Sequence, residues 1–501
     1  MAAIGIDYGT SNSEVVYFDG TQHHFIKLDP NVEHSNKIRS SVFVYYKDDL
    51  PRPPISAIEA KVAQIQRAIN DQLEKAKNSY YEAQDPREQR VFSEKIDDLR
   101  AQYHNKPALQ RQAIQLLLKY MTVQDLSLNQ LVETGEFAFG EEGFKRYLKT
   151  PDKGRLIYSP KNFLGAHLVP GQKTAFVGMI AKQLAFFRQS AEQQLNQIVD
   201  TAVIGRPVRF HGTRGEEGNR QALEIMAEAA KEAGFTHVEF LEEPIAAAYK
   251  IEPNLAKPTN VLVVDIGGGT TDICCIKLSP EKRSNLNRQQ DVLSVTGARI
   301  GGMECDKNLI VKSIAPTMGQ GLKMLNGLPV PPTYFSDMCA VDDIPKLNRF
   351  FSDEYGLDIT QTMSIIKEPK LLGRLLTVQE EKLSARLVNS SRLAKEMLSS
   401  KTEITLPLHY IEADYDVDLS VDDLNRSMKS WLSRVKRLVV ECLENSSEAP
   451  EMLFITGGMS LSPIVRRQLT QEMLPNLPVI EGDAFNSVCE GLAIQAARLE
   501  Q

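Results

Sequence analysis

The chain has 501 residues, of which 42% are hydrophobic and 25% charged, the composition of a folded protein and not of a disordered or fibrous one. That length exceeds what one hydrophobic core supports and predicts roughly two to four domains, or two large lobes. Lys and Arg number 58 against 65 Asp and Glu, for a formal net charge of -7, so general nucleic-acid binding, which rests on excess cationic charge, is not expected.

The chain starts Met1-Ala2-Ala3-Ile4-Gly5-Ile6-Asp7, without the basic residues or unbroken apolar stretch of a signal peptide. No apolar run approaches the ~20 residues that span a bilayer. Residues 4–18, IGIDYGTSNSEVVYF, predict two apolar strands joined by a turn of Gly and small hydroxyls, a β-hairpin with a bare polar tip. After Pro51-Arg52-Pro53-Pro54, apolar residues recur at helical steps from Ile58 through Val62, Ile65, Ile69, Leu73 and Ala76 to Tyr80. The pattern resumes from Phe92 to Tyr103 and from Leu109 to Tyr120. Two or three amphipathic helices are predicted, with Asp85-Pro86 marking the turn between the first two. They either pack on their own lobe or form an arm that binds a protein partner or client. Their mixed charges predict no membrane helix. Further on, Glu242-Glu243-Pro244 ahead of IAAAYK suits a helix start, with proline in the first turn and acids at the positive end. Residues 261–276, VLVVDIGGGTTDICCI, then repeat the first hairpin. The six cysteines, at 274, 275, 305, 339, 442 and 489, form no CxxC. Cys274 and Cys275 would face opposite sides of a strand and read as packing residues of a reduced, cytoplasmic protein.

The repeat matches Asp7 with Asp265, Gly9 with Gly267 and Thr10 with Thr270. Glycine lets the backbone approach a ligand, and successive N–H groups in such a turn form an anion-binding nest. The aspartate at the strand end supplies the charge that a phosphate-bound Mg²⁺ needs, through water. One copy alone would read equally well as a tight hairpin. Two copies read better as two lobes, each offering a phosphate loop to one nucleotide. No GxxxxGK[ST] occurs, so this is not a P-loop NTPase.

In these residues, and in order along most of its length, the chain resembles the nucleotide-binding domain of the actin-like ATPases, specifically the seventy-kilodalton heat-shock chaperones of the DnaK family. Within that family it is most similar to the short YegD-type chaperone-like proteins. The resemblance makes Gly5 to Ser13 the first phosphate loop, with Gly9, Thr10, Ser11 and Asn12 at the nucleotide. It makes Lys161 in SPKNFLGA the γ-phosphate cation, although a solvated lysine is the other reading. Val203-Ile204-Gly205-Arg206-Pro207 looks like the strand and proline that relay nucleotide state. Glu243 in LEEPIAAAY takes the position that orients or deprotonates the attacking water, and it can start the helix as well. Asp265 through Asp272, with Gly267, Gly268, Gly269, Thr270 and Thr271, is similar to the second phosphate loop. Asp7, Asp265 and Asp272 are implied to organise Mg²⁺, largely through water. Asp265 and Thr270 also join Glu243 and Lys161 in the catalytic set. ARIGGMECD gives the glycine pair Gly301-Gly302 and keeps Asp306, with Met303 where the family has an acid. Lys395 and Ser399 on an adenosine helix, and Gly457-Gly458 in ITGGMSLSP, complete the nucleoside side. There the likeness weakens: Arg392 and Glu396 stand where the family has an acid and an arginine, and Leu461 replaces the second base-clamping arginine. Arg392 either substitutes for them or pairs with Glu396. Phe485, where the family has an acid, either stacks on the base or belongs to the core.

The resemblance implies an α/β, two-lobed actin-like ATPase fold, each lobe a mixed sheet flanked by helices, with a helical insertion in the first lobe. Lobe I is expected at 1–257 with the insertion at 51–135. Lobe II is expected at 258–483, with a smaller variable subdomain at 307–418. A C-terminal helix at 484–501 returns to lobe I, and Gly491 belongs to it. No peptide-binding domain is expected after it. The implied function is slow, Mg-dependent ATP hydrolysis with ATP or ADP held between the lobes. A non-hydrolysing nucleotide-sensing scaffold, a small-molecule or carbohydrate kinase and a filament-forming ATPase share the superfold, and fold alone does not choose among them.

Overall fold

A computed structural model describes residues 2–29, 36–46, 53, 55–120, 126–210, 214–480, 482 and 485–500. Met1, Pro51, Arg52, Pro54 and the expected lobe boundary at 483 and 484 lie outside the described residues. The chain divides into two compact units. The larger comprises Met1–Phe43, Phe137–Pro151 and Leu156–Gln501, and the smaller comprises Val44–Glu136 with Asp152–Arg155.

The larger unit is α/β, and its two principal sheets repeat one plan. In the first, the strand Ala2–Asp7 pairs antiparallel with Asn12–Phe18 on one side and parallel with Val199–Arg206 on the other. His237–Glu242 extends the parallel side, while His23–Phe25 and Lys37–Arg39 both pair with Asn12–Phe18. In the second, Thr259–Ile266 pairs antiparallel with Thr271–Leu278 and parallel with Met452–Thr456. Val292–Ala298 and Val479–Ile480 close its two ends among the described residues. Each sheet therefore has a hairpin at its centre and a parallel strand behind it. The duplication read from two short segments extends to whole sheets.

The central strands are apolar because both of their faces are covered. Thr259–Ile266 is buried along its entire length, and so are the inward residues Ile4, Ile6, Val203 and Ile204. On the first sheet the cover includes the helices Glu243–Ile251 and Ser487–Leu499. The first begins with Pro244 in its opening turn, as the sequence predicts, and buries the small residues Ala246, Ala247 and Ala248. The second brings Cys489 and Ala493 against Val16, and Gly491 against the Ala246 carbonyl. A side chain at Gly491 would occupy that oxygen's position, so the crossing requires glycine. All six cysteines are buried and unpaired, in keeping with packing roles.

Residues 307–385, left unassigned by sequence patterning, form short helices that include Pro332–Met338, Ile344–Phe350, Asp353–Met363 and Pro369–Glu380. They follow a π-helical turn at Ile310–Ile314. A two-stranded ladder, Glu403–Pro407 with Asp416–Ser420, comes after them.

The smaller unit contains the predicted helices as Ile55–Glu82, Pro86–His104 and Lys106–Tyr120. Asp85 caps the second by accepting from the Arg87 N–H at 2.8 Å, which satisfies one of the orphan donors at a helix start. Ile69, Ala76, Ile96, Leu99 and Leu109 are buried together, with Val62, Ile65, Leu73, Tyr80 and Tyr103 around them. The apolar stripes thus pack on one another. Among the described residues no helix is long and apolar enough to cross a membrane.

Candidate functional site: a cleft lined by two Gly-rich loops

Both hairpin tips open onto one cleft of about 450 Å³ in the larger unit. Their register places Asp7 opposite Glu14 and Asp265 opposite Asp272, at equivalent points of the two ladders. The loops also touch. Ser11 Oγ fills the space beside Gly268, and Thr10 Oγ1 and Asn162 Oδ1 fill the space beside Gly269. Thr10 and Asn162 lie within hydrogen-bond reach at 3.4 Å.

From the first loop, Asp7, Gly9, Thr10, Ser11 and Asn12 line the cleft; from the second, Asp265, Gly267, Gly268 and Thr270 do so. Lys161, in a short 3-10 turn at Pro160–Phe163, and Glu243, at the start of its helix, form a buried ion pair on the cleft floor. Lys161 is only 4% exposed, so it is no solvated surface lysine. Gly302, Lys395, Ser399, Gly457 and Gly458 line the remaining wall. Gly269, Thr271 and Gly301, expected at the nucleotide, and Asp272, expected at the metal, are not among the residues that line this cleft. The Thr271 hydroxyl donates to the Ile300 carbonyl at 2.6 Å. Gly301 backs onto the Gly268–Gly269 peptide, where an added Cβ would meet backbone atoms at 2.6 Å. Asp272 accepts from the Val208 N–H at 2.8 Å.

Crowding of carboxyls sets the electrostatics. Burial, reinforced by Glu243, pushes Asp7 up to about 6 against the pull of Lys161 and Lys37. Burial and Glu243 likewise push Asp272 up to about 7, although hydrogen bonds from Thr270 and Val208 oppose the shift. Asp265 is driven up by burial first and then by Glu243, Asp272 and Asp7. For Lys161, burial works against the charge, but Glu243, Asp7 and Asp272 outweigh it and raise its pKa. Three aspartates held above their ordinary range are a site that a bound cation would relieve. Asp272 Oδ2 is buried without a hydrogen-bond partner among the described residues, and it fits the same need. No three His, Cys, Asp or Glu among the described residues come together as direct ligands. Carboxylates of this kind would suit a magnesium ion held through water.

On the nucleoside side Lys395 bonds Asp306 at 2.8 Å and the Gly302 carbonyl at 3.2 Å. The retained Asp306 thus holds the lysine in the wall. Arg392 pairs with Glu396 at 2.5 Å, in line with the second of its two readings, and both line the cleft. Phe485 is 48% exposed and lines the cleft, so it is not a core residue.

Glu14 and Lys37 are among the cleft residues that escaped the sequence reading. Glu14 is 1% exposed, and its signal was present: an acid stands at the same step after Asp7 as Asp272 does after Asp265. Lys37 enters from the strand Lys37–Arg39, 3.9 Å from Glu14. No local pattern marks it, because only the pairing of that strand with Asn12–Phe18 brings it in.

Comparison with known proteins gives the same direction. The family model for MreB/Mbl protein matches residues 175–312. A chaperone protein DnaK of Thermosipho africanus is 25% identical over 387 residues, covering 73% of this chain and 52% of its own. That of Thermosipho melanesiensis is 24% identical over 388 residues, with the same shares. That of Thermoplasma volcanium is 30% identical over 188 residues, 35% of this chain and 27% of its own. The chain spans about half the length of the first two of these relatives. Paired sheets, paired loops and these matches define an actin-like ATPase fold. Within that class the chain is similar to DnaK proteins over 73% of its length.

Proposed function

We propose that the chain is an ATP-binding ATPase module that holds Mg-nucleotide in this cleft, hydrolyses ATP slowly and couples nucleotide state to closure of two lobes. We take the lobes as residues 1–257 and 258–483, with 484–501 returning to the first, and place the protein beside the short YegD-type chaperone-like proteins. The observation that carries this reading is the buried Lys161–Glu243 pair beneath two matched Gly-rich turns.

Phosphoryl transfer to water is governed by positioning and charge stabilisation. Backbone N–H groups of Gly9 to Asn12 and Gly267 to Thr270, with the Thr10 and Thr270 hydroxyls, would hold phosphate oxygens. Lys161 would turn its ammonium to the γ-phosphate. Glu243, released from that ammonium, would orient the attacking water and take its proton at a carboxylate oxygen. Asp7, Asp265 and Asp272 would hold magnesium largely through water, and the ion would supply neutralisation of phosphate charge. Lobe closure follows only to the extent that nucleotide binds the closed state more tightly than the open one.

The second reading is a non-hydrolysing nucleotide-sensing scaffold, with the helices of residues 55–120 receiving a protein partner or client. The mutual pairing of Arg392 and Glu396 and the apolar Leu461 favour it. Calorimetric titration with ATP and ADP, with and without Mg²⁺, followed by phosphate release on the same sample, separates the two. Mg-dependent binding with slow release supports the ATPase. Binding with no release supports the scaffold, and no binding sinks both.

A further inference from the structure

At the nucleoside end of the cleft the charged groups already have partners. Arg392 gives Nη1 to Glu396 at 2.5 Å and Nη2 to Asn389 at 3.3 Å. Lys395 is held by Asp306 and the Gly302 carbonyl. Groups so paired read a base edge poorly, because any new hydrogen bond must displace an existing one. The same wall carries an aromatic ring. Phe485 stands beside Gly458 of the Gly457-Gly458 turn, with Cε1 3.6 Å from where a Gly458 Cβ would lie. The ring is held in place by Lys37, whose ammonium sits 4.6 Å from the ring centroid and donates to the Phe485 carbonyl at 2.8 Å. A cation–π contact and a backbone bond from one side chain fix the ring at the cleft wall.

We propose that the base of a nucleotide in this cleft is held by stacking on Phe485, braced by Lys37, and that the site therefore accepts adenine and guanine nucleotides with little preference. The proposal rests on the nucleotide reading above and adds the base-binding residue and the breadth of substrate. Every base has a π-face, so stacking gives affinity without base identity. Discrimination needs hydrogen-bonding groups left unpaired by the wrong ligand, and here those groups pair with one another.

The test is calorimetric titration of the full chain with MgATP, MgGTP and magnesium tripolyphosphate, which has the phosphates but no base. Phe485→Ala and Phe485→Trp are titrated alongside. ATP and GTP should bind within about tenfold of each other, and Phe485→Ala should weaken both by roughly 5- to 150-fold, the value of one base–aromatic stack. Tripolyphosphate should bind the wild type and Phe485→Ala alike, which also shows that the variant is folded, and Phe485→Trp should retain nucleotide affinity. If tripolyphosphate binds but Phe485→Ala leaves ATP unchanged, or if GTP is weaker than ATP by more than about tenfold, the stacking proposal is overturned and the phosphate site stands. If none of the three ligands binds, the nucleotide reading fails and takes the proposal with it.

Discussion

Lys161 and Glu243 lie 82 residues apart in the chain and meet as a buried ion pair on the cleft floor. Each leans on the other: Glu243 helps keep the ammonium charged against burial, and the ammonium partly offsets the carboxyls around it. Glu243→Gln keeps the shape and removes the charge. Phosphate release should fall by about 10²–10⁴, the usual loss of a general base, while ATP affinity changes much less. An equal loss of binding and turnover, measured on one preparation, would assign Glu243 a structural role.

The raised aspartates make stability depend on pH. An unfolded aspartate titrates near 4, whereas Asp7 and Asp272 titrate at about 6 and about 7 in the fold. Between these values the native state holds protons that the unfolded chain has released, so stability falls as pH rises. The contribution is full below about pH 4 and is lost by about pH 7. Without added nucleotide or Mg²⁺, melting temperature should decline from about pH 5 to about pH 8 more steeply in the wild type than in Asp272→Asn. At about pH 8 that variant should gain on the order of 1–3 kcal/mol and lose Mg-dependent nucleotide binding. Parallel melting curves for the two proteins would remove the basis for this reading.

Two glycines should fail in different ways. At Gly301 a Cβ meets the Gly268–Gly269 backbone, so Gly301→Ala should displace the second loop and weaken nucleotide binding at least tenfold with little change in melting. At Gly491 it meets the Ala246 carbonyl between two helices. Gly491→Ala should cost about 1–3 kcal/mol, the overpacking range, seen as a lower melting temperature. Interchanged phenotypes would contradict the placement of both residues.

Replacing residues 55–120 with a short Gly/Ser linker should leave the affinity for MgATP within about threefold, because the cluster around Ile69, Ile96 and Leu109 is formed by the three helices themselves. Loss of folding by circular dichroism would show that these helices belong to the core of the larger unit.

What sequence alone reveals here follows from how local each signal is. The hairpins were legible because apolar strands flank a Gly-rich tip, and the helices of residues 55–120 because their stripes run for several turns. The short helices Pro332–Met338 and Ile344–Phe350 have seven residues each, too few for a period to declare itself. Lys37 and Phe485 reach the cleft through strand pairing and chain return, which no window of residues encodes. Arg392 illustrates a third case: its partner Glu396 was visible one turn away, but only the fold shows the two side chains paired at the cleft.

The helix Ser487–Leu499 lies against the strand Ala2–Asp7, with Gly5 pressed to the backbone of Leu492 and Ala493. A ribosome delivers the strand first and the helix long afterwards. Throughout that interval Ala3 and Val16, on the face that Gly5 turns to the helix, lack part of the cover that buries them. Covering that face requires closing a loop from Gly5 to Leu492, a slow step whose entropy precedes its reward. A nascent chain of this protein thus waits with that sheet face partly uncovered until the helix Ser487–Leu499 arrives.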